Sequence, residues 1–304
     1  MSIATPGTAP ARPDLAARAL LLLVAVIWGF NWPAGRFALH DLSPWTFRAV
    51  SFGLGAAILM AAARWTGASL HVERGLPRLH LAIAGLLSTG GYGLLAAFAM
   101  LGTSTSRTAI CAYTMPIWAT FLARLVLKER LTAWRIAALV LGSLGLGILL
   151  WPLVADGVPV GVLYAIGSAV SWAAGTIYLK WAGVTGHPIA IAAWQLVAGT
   201  AMFAVGMVVH GVDPTAGLHA LPMLGFLYST VIGTALAYLL WFQLVVRLPA
   251  GTAGLGTLLV PVVGVAASIA LMGERPSGAD FAGFALIFAA GLSAVWSGTA
   301  KRAA

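Results

Sequence analysis

The chain has 304 residues, of which 61% are hydrophobic and only 8% charged, and its mean hydropathy is +0.96. Because a soluble domain carries about 25% charged residues, this composition excludes a water-soluble fold and indicates a polytopic membrane protein. The formal net charge of +9 does not indicate nucleic-acid binding, since the basic residues lie between apolar runs and act as topology signals. Cys111 is the single cysteine, which excludes a disulfide framework or a cysteine-based zinc site.

Apolar runs separated by charges or by Pro, Gly and Asp clusters predict ten membrane-spanning helices of about 20 residues each. The predicted spans are residues 17–38, 44–65, 78–100, 107–127 and 133–151 in the first half, and 159–180, 188–209, 220–246, 252–272 and 278–298 in the second. Residues 1–16 and 299–304 are predicted to be cytoplasmic tails. The run that begins at Ala17 is interpreted as the first span, because no small-residue cleavage site of a signal peptide follows it.

The first half of the chain recurs in the second half. Pro116 and Glu129 are thirteen residues apart, as are Pro261 and Glu274, and the second pair follows the first by 145 positions. Since each copy holds an odd number of spans, the two copies must run in opposite directions through the membrane, an arrangement typical of secondary transporters. We therefore predict an all-α membrane protein with two inverted five-helix repeats, residues 17–151 and 152–298.

The basic residues support this count and predict the orientation. With a cytoplasmic N-terminus, thirteen of the seventeen basic residues lie in cytoplasmic segments, and five of the eight acids lie on the opposite side. This asymmetry follows the positive-inside rule and places both termini in the cytoplasm. Arg36, Arg48, Arg107 and Arg275 remain on the outer side, and for the first three snorkelling to lipid headgroups is the simple interpretation. For Arg48, a position lining an external vestibule is equally compatible.

Motifs of other functional classes are missing from the sequence. It contains no H-E-x-x-H, no G-x-S-x-G and no Walker loop, so an enzyme is not expected. The stretch Thr89-Gly90-Gly91-Tyr92-Gly93 is similar to a potassium-channel filter but lies in mid-span, and it predicts a flexible glycine-rich bend instead. No carboxylate or histidine falls near the middle of a predicted span, where a proton-coupling group would be expected. We predict no cofactor and no metal site.

Aromatic and hydroxyl-bearing side chains occupy the middle of several spans instead. Trp and Tyr normally concentrate at the two membrane interfaces, so their mid-span positions favour a central cavity with aromatic walls, suited to small amphipathic solutes. For any single residue, packing between helices is an equally good explanation. The candidate substrate-binding residues are Trp28, Asn31, Ser88, Tyr92, Tyr113, Trp172, Thr176 and Tyr238.

The prolines and glutamates of the repeat have separate predicted roles. Pro116 and Pro261 lie at matched mid-span positions, where a proline removes a backbone hydrogen bond, and we predict that they are hinges beside the site. Glu129 and Glu274 end the same helices and are predicted to cap the helix that follows, beside Thr132 and Ser277, with a role in gating as the alternative.

The sequence Trp28-Gly29-Phe30-Asn31, the equal Pro-to-Glu spacings and the five-plus-five division of spans resemble the drug/metabolite transporter superfamily. Within it the chain is similar to EamA-type exporters, and most to the bacterial aromatic amino acid exporter branch. The resemblance implies a basket-shaped fold in which helices one, three, four, six, eight and nine surround a central cavity, with helices five and ten outside. Small multidrug members carry a Glu in the first helix, where this chain has Asn31, so their proton antiport is not expected.

The resemblance also implies export of amino acids and related metabolites across a bacterial inner membrane by alternating access. Export of drugs, nucleobases or phosphorylated metabolites is the alternative, although phosphorylated cargo would need a central Lys or Arg. The expected partners are a small-molecule solute and the lipid bilayer, without nucleic acid, and the chain is expected to be a monomer or a weak dimer.

Overall fold

The computed structural model describes residues 15–154, 157–212, 219–247 and 257–300, and their regular structure is helical. The helices of the first half are α1 (Leu15–Ala38), α2 (Pro44–Trp65), α3 (Leu76–Gly85), α4 (Tyr92–Gly102), α5 (Thr105–Ala112), α6 (Met115–Val126) and α7 (Ala133–Val154). Those of the second half are α8 (Val160–Trp181), α9 (Pro188–His210), α10 (Ala220–Leu227), α11 (Ala237–Arg247), α12 (Leu259–Met272) and α13 (Gly278–Ala300). The predicted tails lie almost entirely outside the described residues.

The predicted all-α membrane fold is confirmed. Eight spans within the described residues are long and apolar enough to cross a membrane, and they agree with the first eight predicted spans to within a few residues. The tenth predicted span corresponds to α13, and α12 supplies the described part of the ninth. Residues 252–256, which the sequence assigns to the ninth span, lie outside the described part of the chain.

Local sequence determines several helix ends. The hydroxyl of Ser43 accepts a hydrogen bond from Thr46 N, and Pro44 occupies the first turn, so α2 begins where the sequence predicted. α12 ends at Gly273, whose φ of 65° lies in the left-handed region that glycine adopts without steric cost. These signals are local, and for this reason the sequence alone could reveal them.

The helix contacts of one half recur in the other with the roles of the two repeats exchanged. α1 of the first span packs against α12 of the ninth, and α8 of the sixth span packs against α5 and α6 of the fourth. Likewise, α4 of the third span packs on α8, and α1 packs on α10 of the eighth. The equivalent helices α2 and α9 pair with each other, as do α7 and α13. This exchange is the pattern of two repeats related by a pseudo-two-fold axis.

Glycines allow the fifth and tenth spans to pack closely. A Cβ atom on Gly145 of α7 would lie 2.7 Å from the carbonyl oxygen of Gly283, and one on Gly283 would lie 2.7 Å from that of Gly145. Small residues at such a contact let two membrane helices approach backbone to backbone. The pair formed by α7 and α13 therefore depends on both glycines.

Two matched π-helical segments interrupt the third and eighth spans. Leu86–Gly91 joins α3 to α4, and Tyr228–Leu236 joins α10 to α11. The glycine-rich bend predicted around Gly90 is thus a π-helix within a continuous span. π-Helical turns are rare and occur often at functional sites, and the repetition of this one in both halves points to the middle of the bundle.

The fourth span is broken just before its proline. α5 ends at Ala112, the chain turns at Tyr113 and Thr114, and α6 begins at Met115. Pro116 therefore lies in the first turn of a new helix, and Pro261 likewise lies in the first turn of α12. The prediction that these prolines remove hydrogen bonds inside a helix is wrong, because the first four N–H groups of a helix have no intrahelical acceptor.

Candidate functional site

Aromatic side chains from several spans meet in the middle of the bundle. The Trp28 ring lies 6.3 Å from the Tyr238 ring, edge to face, and 5.3 Å from the Trp241 ring, measured between centroids. The Tyr92 phenol lies close enough to those of Tyr238 and Tyr113 for their ionised forms to repel one another. All five side chains are half-buried. We call Trp28, Tyr92, Tyr113, Tyr238 and Trp241 the central aromatic group.

Arg48 belongs to the same region. Its guanidinium interacts electrostatically with Tyr92 and Tyr238, and its Nε donates a hydrogen bond of 2.9 Å to the carbonyl oxygen of Gly93. The side chain is only 8% exposed. It therefore does not snorkel to the membrane surface, contrary to the simple interpretation of the sequence, and it lies beside the central aromatic group.

Asn31 occupies the turn of α1 after Trp28 and packs against the π-helical segment of the eighth span. Its side-chain amide fills the space where a Cβ atom on Gly233 would be. Its Oδ1 is buried and has no hydrogen-bond partner in the described part of the chain. A buried acceptor without a donor costs free energy, so an N–H group that reached this oxygen would stabilise it.

The structure does not bring all the predicted site residues into contact with this group. Ser88 Oγ lies 2.7 Å from Ala84 O and 2.8 Å from Gln195 Oε1, so its hydroxyl is used within the protein. Thr176 is exposed, and its hydroxyl donates to the carbonyl oxygen of Trp172. Trp172 is half-buried on the same helix, and among the described residues its ring does not contact those of Trp28 or the tyrosines.

A glutamate connects the two repeats at one face of the membrane, which we call the Asp41 face because it also carries Asp41. Glu274 accepts hydrogen bonds of 2.6 Å from Thr105 N and 2.8 Å from Ser106 N, at the start of α5. The prediction that Glu274 caps the following helix is wrong, since it caps α5 of the other repeat. The sequence places Ser277 correctly, as its hydroxyl accepts from Asp280 N at the start of α13.

An ion pair lies next to this cap. The Arg107 guanidinium donates from Nε and Nη2 to the two carboxylate oxygens of Asp280, each over 2.9 Å. Such bidentate pairing is among the strongest side-chain interactions. Arg107 of the first repeat is therefore held by an acid of the second, so that snorkelling to lipid is not its role.

The opposite face, which we call the Glu129 face, has a corresponding cluster. Glu129 forms ion pairs of 2.5 Å with Lys180 of α8 and 2.6 Å with Arg135 of α7. The hydrogen bond from Lys180 holds the pKa of the Glu129 carboxyl below its ordinary value, with a further contribution from Arg135. Glu129 thus connects the ends of the fourth and sixth spans, while Thr132 accepts from Arg135 N at the start of α7.

Asp41 joins the end of the first span to the start of the eighth. His40 Nδ1 lies 2.7 Å from Asp41 Oδ1, and His219 approaches Asp41 Oδ2 through its N at 2.8 Å and its Nδ1 at 2.9 Å. The hydrogen bond from His40 is the largest cause that lowers the pKa of Asp41 to about 2. These residues could offer three ligand atoms to a metal ion, but each is already used in the hydrogen bonds.

The sequence model of the EamA-like transporter family matches this chain twice, at residues 16–151 and 159–295. The chain belongs to the EamA-like transporter family. A relative in Salmonella typhimurium, named "Probable amino-acid metabolite efflux pump", is 27% identical over 285 residues, or 89% of this chain and 91% of its own length. The "Uncharacterized transporter YoaV" of Bacillus subtilis is 23% identical over 246 residues, or 80% of this chain and 84% of its own length.

Structural comparison agrees with this assignment. A solved crystal structure superposes on this transporter with a TM-score of 0.63 at 21% identity, covering 92% of this chain and 97% of that chain. The two chains therefore share a fold. Another sequence relative is the "Uncharacterized inner membrane transporter YedA" of Escherichia coli. It is 26% identical over 265 residues, or 84% of this chain and 83% of its own length. The apolar spans and the family match show that this chain is a multi-pass membrane protein.

Two cavities of the described transporter lie away from the central aromatic group. One of about 440 Å³ lies between the start of the third span and α9, lined by Arg78, Leu81 and Trp194 among others. Another of about 230 Å³ lies between α6 and α7, beside Trp118 and Gly142. Neither is lined by the central aromatic group.

The sequence did not predict that Trp241 lies against Trp28 or that Arg48 lies beside the tyrosines. Trp241 lies beyond the middle of its predicted span, so depth alone did not select it, and only the helix rotation brings it against Trp28. Arg48 lies in the second turn of its span, where a guanidinium can turn outward or inward.

Proposed function

We propose that this transporter exports amino acids, aromatic and other neutral ones, and related small metabolites by alternating access. The observation that carries the proposal is the convergence of Trp28, Tyr92, Tyr113 and Tyr238, from four different spans, in the middle of the bundle. Inverted-repeat transporters bind their solutes where the two repeats meet near the bilayer midplane. The relatives named as probable amino-acid metabolite efflux pumps support the choice of solute.

Each group in the site has a role that fits an amino acid. The aromatic faces of Trp28 and Tyr238 can hold an apolar side chain. The free Oδ1 of Asn31 can accept a hydrogen bond from the solute's ammonium group. Ser88, Trp172 and Thr176 would then support the site from neighbouring helices, and a broad range of side chains is expected because aromatic contacts are not directional.

The two faces of the molecule are proposed to open in turn. We infer that the termini and the Glu129 face are cytoplasmic, since most basic residues lie on that side. Residues 17–151 and 152–298 would then act as the two inverted repeats, with cytoplasmic tails 1–16 and 299–304. The breaks before Pro116 and Pro261 would serve as hinges.

Solute counterflow in proteoliposomes tests the proposal. Vesicles loaded with unlabelled L-phenylalanine should accumulate labelled L-phenylalanine transiently, with saturable rates, and unlabelled L-threonine in the lumen should also drive the exchange. Empty liposomes provide the control. Unsaturable ion conductance without counterflow would instead indicate a channel, and chemical conversion of the label would indicate an enzyme.

The same vesicles distinguish the alternative solutes. If adenine or ethidium drives counterflow while no neutral amino acid does, the transporter is an exporter of nucleobases or drugs, and the proposed solute class is wrong. If neutral amino acids compete with one another and the other compounds do not, the proposal stands.

A further inference from the structure

The guanidinium of Arg48 lies deep in the helix bundle. Arg48 belongs to the second turn of α2, and its Nε reaches the carbonyl oxygen of Gly93 over 2.9 Å. Gly93 precedes the end of α4 at Gly102 by nine residues, so at a rise of 1.5 Å per residue it lies about 13 Å inside the span. The charge is therefore near the middle of the membrane rather than at its surface.

This charge has no acidic partner in the described part of the chain. In residues 15–154, 157–212, 219–247 and 257–300, no carboxylate oxygen lies within 4.0 Å of Arg48. The rings of Phe47 and Phe52 lie 4.7 Å and 5.5 Å from the guanidinium carbon and compensate in part for the lost hydration. A buried cation remains costly unless a counter-charge pairs with it, so the site favours an anion.

The hydrogen-bonding capacity of Arg48 is also incomplete. A guanidinium has five N–H donors, and the Nε–H is the one with an acceptor among the described residues. The four N–H groups of Nη1 and Nη2 are left for a ligand. The edge of the guanidinium formed by Nη1 and Nη2 matches the two oxygens of a carboxylate, which arginine binds through parallel hydrogen bonds.

We propose that Arg48 binds the carboxylate of the transported solute, between the hydroxyls of Tyr92 and Tyr238. The assignment of this carboxylate to a transported amino acid rests on the function proposed above. Arg48 recognises the carboxylate that all amino acids share, while the central aromatic group contacts the variable side chain. The site therefore requires a carboxylate and tolerates many side chains.

Binding of matched solutes to the detergent-solubilised protein tests this proposal. L-Phenylalanine and L-phenylalaninamide both have an ammonium group and a benzyl side chain, and differ in the carboxylate; 3-phenylpropionate keeps the carboxylate without the ammonium. By isothermal titration, the two acids should bind the wild-type protein at least about tenfold more tightly than the amide, as expected for charge-assisted hydrogen bonds. Equal affinity for acid and amide, or no binding of either acid, overturns the proposal.

Variants assign the preference to Arg48. Arg48→Gln should bring the affinity for L-phenylalanine down to that for the amide, and Arg48→Lys should keep part of the difference. Arg78→Gln is the matched control, because Arg78 also donates from Nε to one backbone carbonyl, that of Val72, over 3.1 Å, but at an exposed position. A preference for acids that survives in Arg48→Gln overturns the proposal. If this variant does not fold, the comparison of acids and amide on the wild-type protein decides, together with Tyr92→Phe and Tyr238→Phe. Each of these two variants should weaken the binding of the acids and leave that of the amide unchanged.

Counterflow separates this inference from the proposed function. If acids bind in an Arg48-dependent way but no amino acid exchanges across proteoliposomes, the proposed function fails and the carboxylate site stands. If Arg48→Gln exchanges L-phenylalanine with an unchanged KM and still rejects the amide, the carboxylate site fails and the proposed function stands.

Discussion

A tryptophan in the middle of a membrane span needs partners within the protein, and Trp28 has two. Its ring contacts those of Tyr238 and Trp241, both of the eighth span. Edge-to-face and tilted aromatic pairs of this kind contribute about 0.5–1.5 kcal/mol beyond the burial of their surface. Trp28 therefore joins the two repeats at the level where the solute is proposed to bind.

Replacement of Trp28 should impair transport more than replacement of an exposed tryptophan. We expect Trp28→Ala to lower the rate of amino acid counterflow about tenfold, the effect of losing roughly 1.4 kcal/mol of interaction with the solute. The control is Trp65→Ala, at the end of α2, where the side chain is 93% exposed. Similar rates for the two variants, at equal amounts of folded protein, would contradict the role of Trp28.

The lowered pKa of Asp41 predicts a specific dependence of stability on pH. Its pKa is lowered from 3.8 to about 2, chiefly by the hydrogen bond from His40. A carboxylate whose pKa is lowered by folding stabilises the folded state above the ordinary value and loses that contribution as pH falls through the lowered one. The contacts of Asp41 should therefore be fully effective at pH 7 and lost between about pH 4 and about pH 2.

The measurement is the Tm of the purified transporter across this range. Asp41→Asn should have a lower Tm than the wild type at pH 7, and the difference should shrink as pH falls from about 4 to about 2. Glu73→Gln, at an exposed position in the loop before α3, serves as the control. A difference in Tm that stays constant over this range would show that the hydrogen bonds to Asp41 do not stabilise the fold.

At the scale of elements, glycines and π-helices determine how closely the spans approach. Gly145 and Gly283 bring α7 and α13 together, whereas a Cβ atom on Gly147 would meet nothing within 4 Å. The sequence revealed a glycine cluster suited to helix packing, but only the rotation of α7 decides which of its glycines faces the partner helix.

This difference makes a matched pair of substitutions informative. Gly145→Ala should destabilise the transporter by about 1–3 kcal/mol, because the added methyl group collides with the backbone of α13. Gly147→Ala, two residues along the same helix, should be neutral or stabilising by up to about 1 kcal/mol, since alanine favours helix formation. Unfolding in mixed micelles measures both, and equal effects would contradict the close approach at Gly145.

Helix caps indicate how far local sequence predicts element boundaries. Thr132 and Ser277 cap the helices that follow them, as their position in the sequence predicted. Glu274 instead reaches α5, 169 positions away from its hydrogen-bond donor Thr105. A hydroxyl at a helix start acts on its own helix, but a longer carboxylate can reach a neighbouring one, and the sequence does not identify that neighbour.

For the whole molecule, the inverted repeat places the middle of both halves together and leaves the acids at the two faces. Asp41 and Glu274 lie at one face and Glu129 at the other, and the described carboxylates and histidines are outside the central aromatic group. Arg48 is the cation beside that group, and arginine keeps its proton at physiological pH. The described part of the bundle interior thus offers no carboxylate or histidine to exchange a proton during transport.

Transport should consequently persist without a proton gradient. We expect counterflow of L-phenylalanine in proteoliposomes to continue at a similar rate when a protonophore collapses the pH gradient and the solute gradient is kept, because proton-coupled carriers use an ionisable group inside the bundle. Vesicles without the protonophore are the control. Loss of exchange on collapsing the proton gradient alone would refute this expectation.

The sequence by itself determined the number of spans, the repeat and the family, because hydrophobic length, charge positions and motif spacing are properties of the chain read in order. It also predicted that four aromatic residues face the interior of the bundle, since aromatic residues at mid-span depth need protein partners. These are Trp28, Tyr92, Tyr113 and Tyr238. Only the tertiary structure decided that Trp241 and Arg48 join them and that Thr176 is exposed. Depth in the membrane follows from position along a helix, whereas the direction of a side chain depends on how each helix is rotated by its packing and by the π-helical segments.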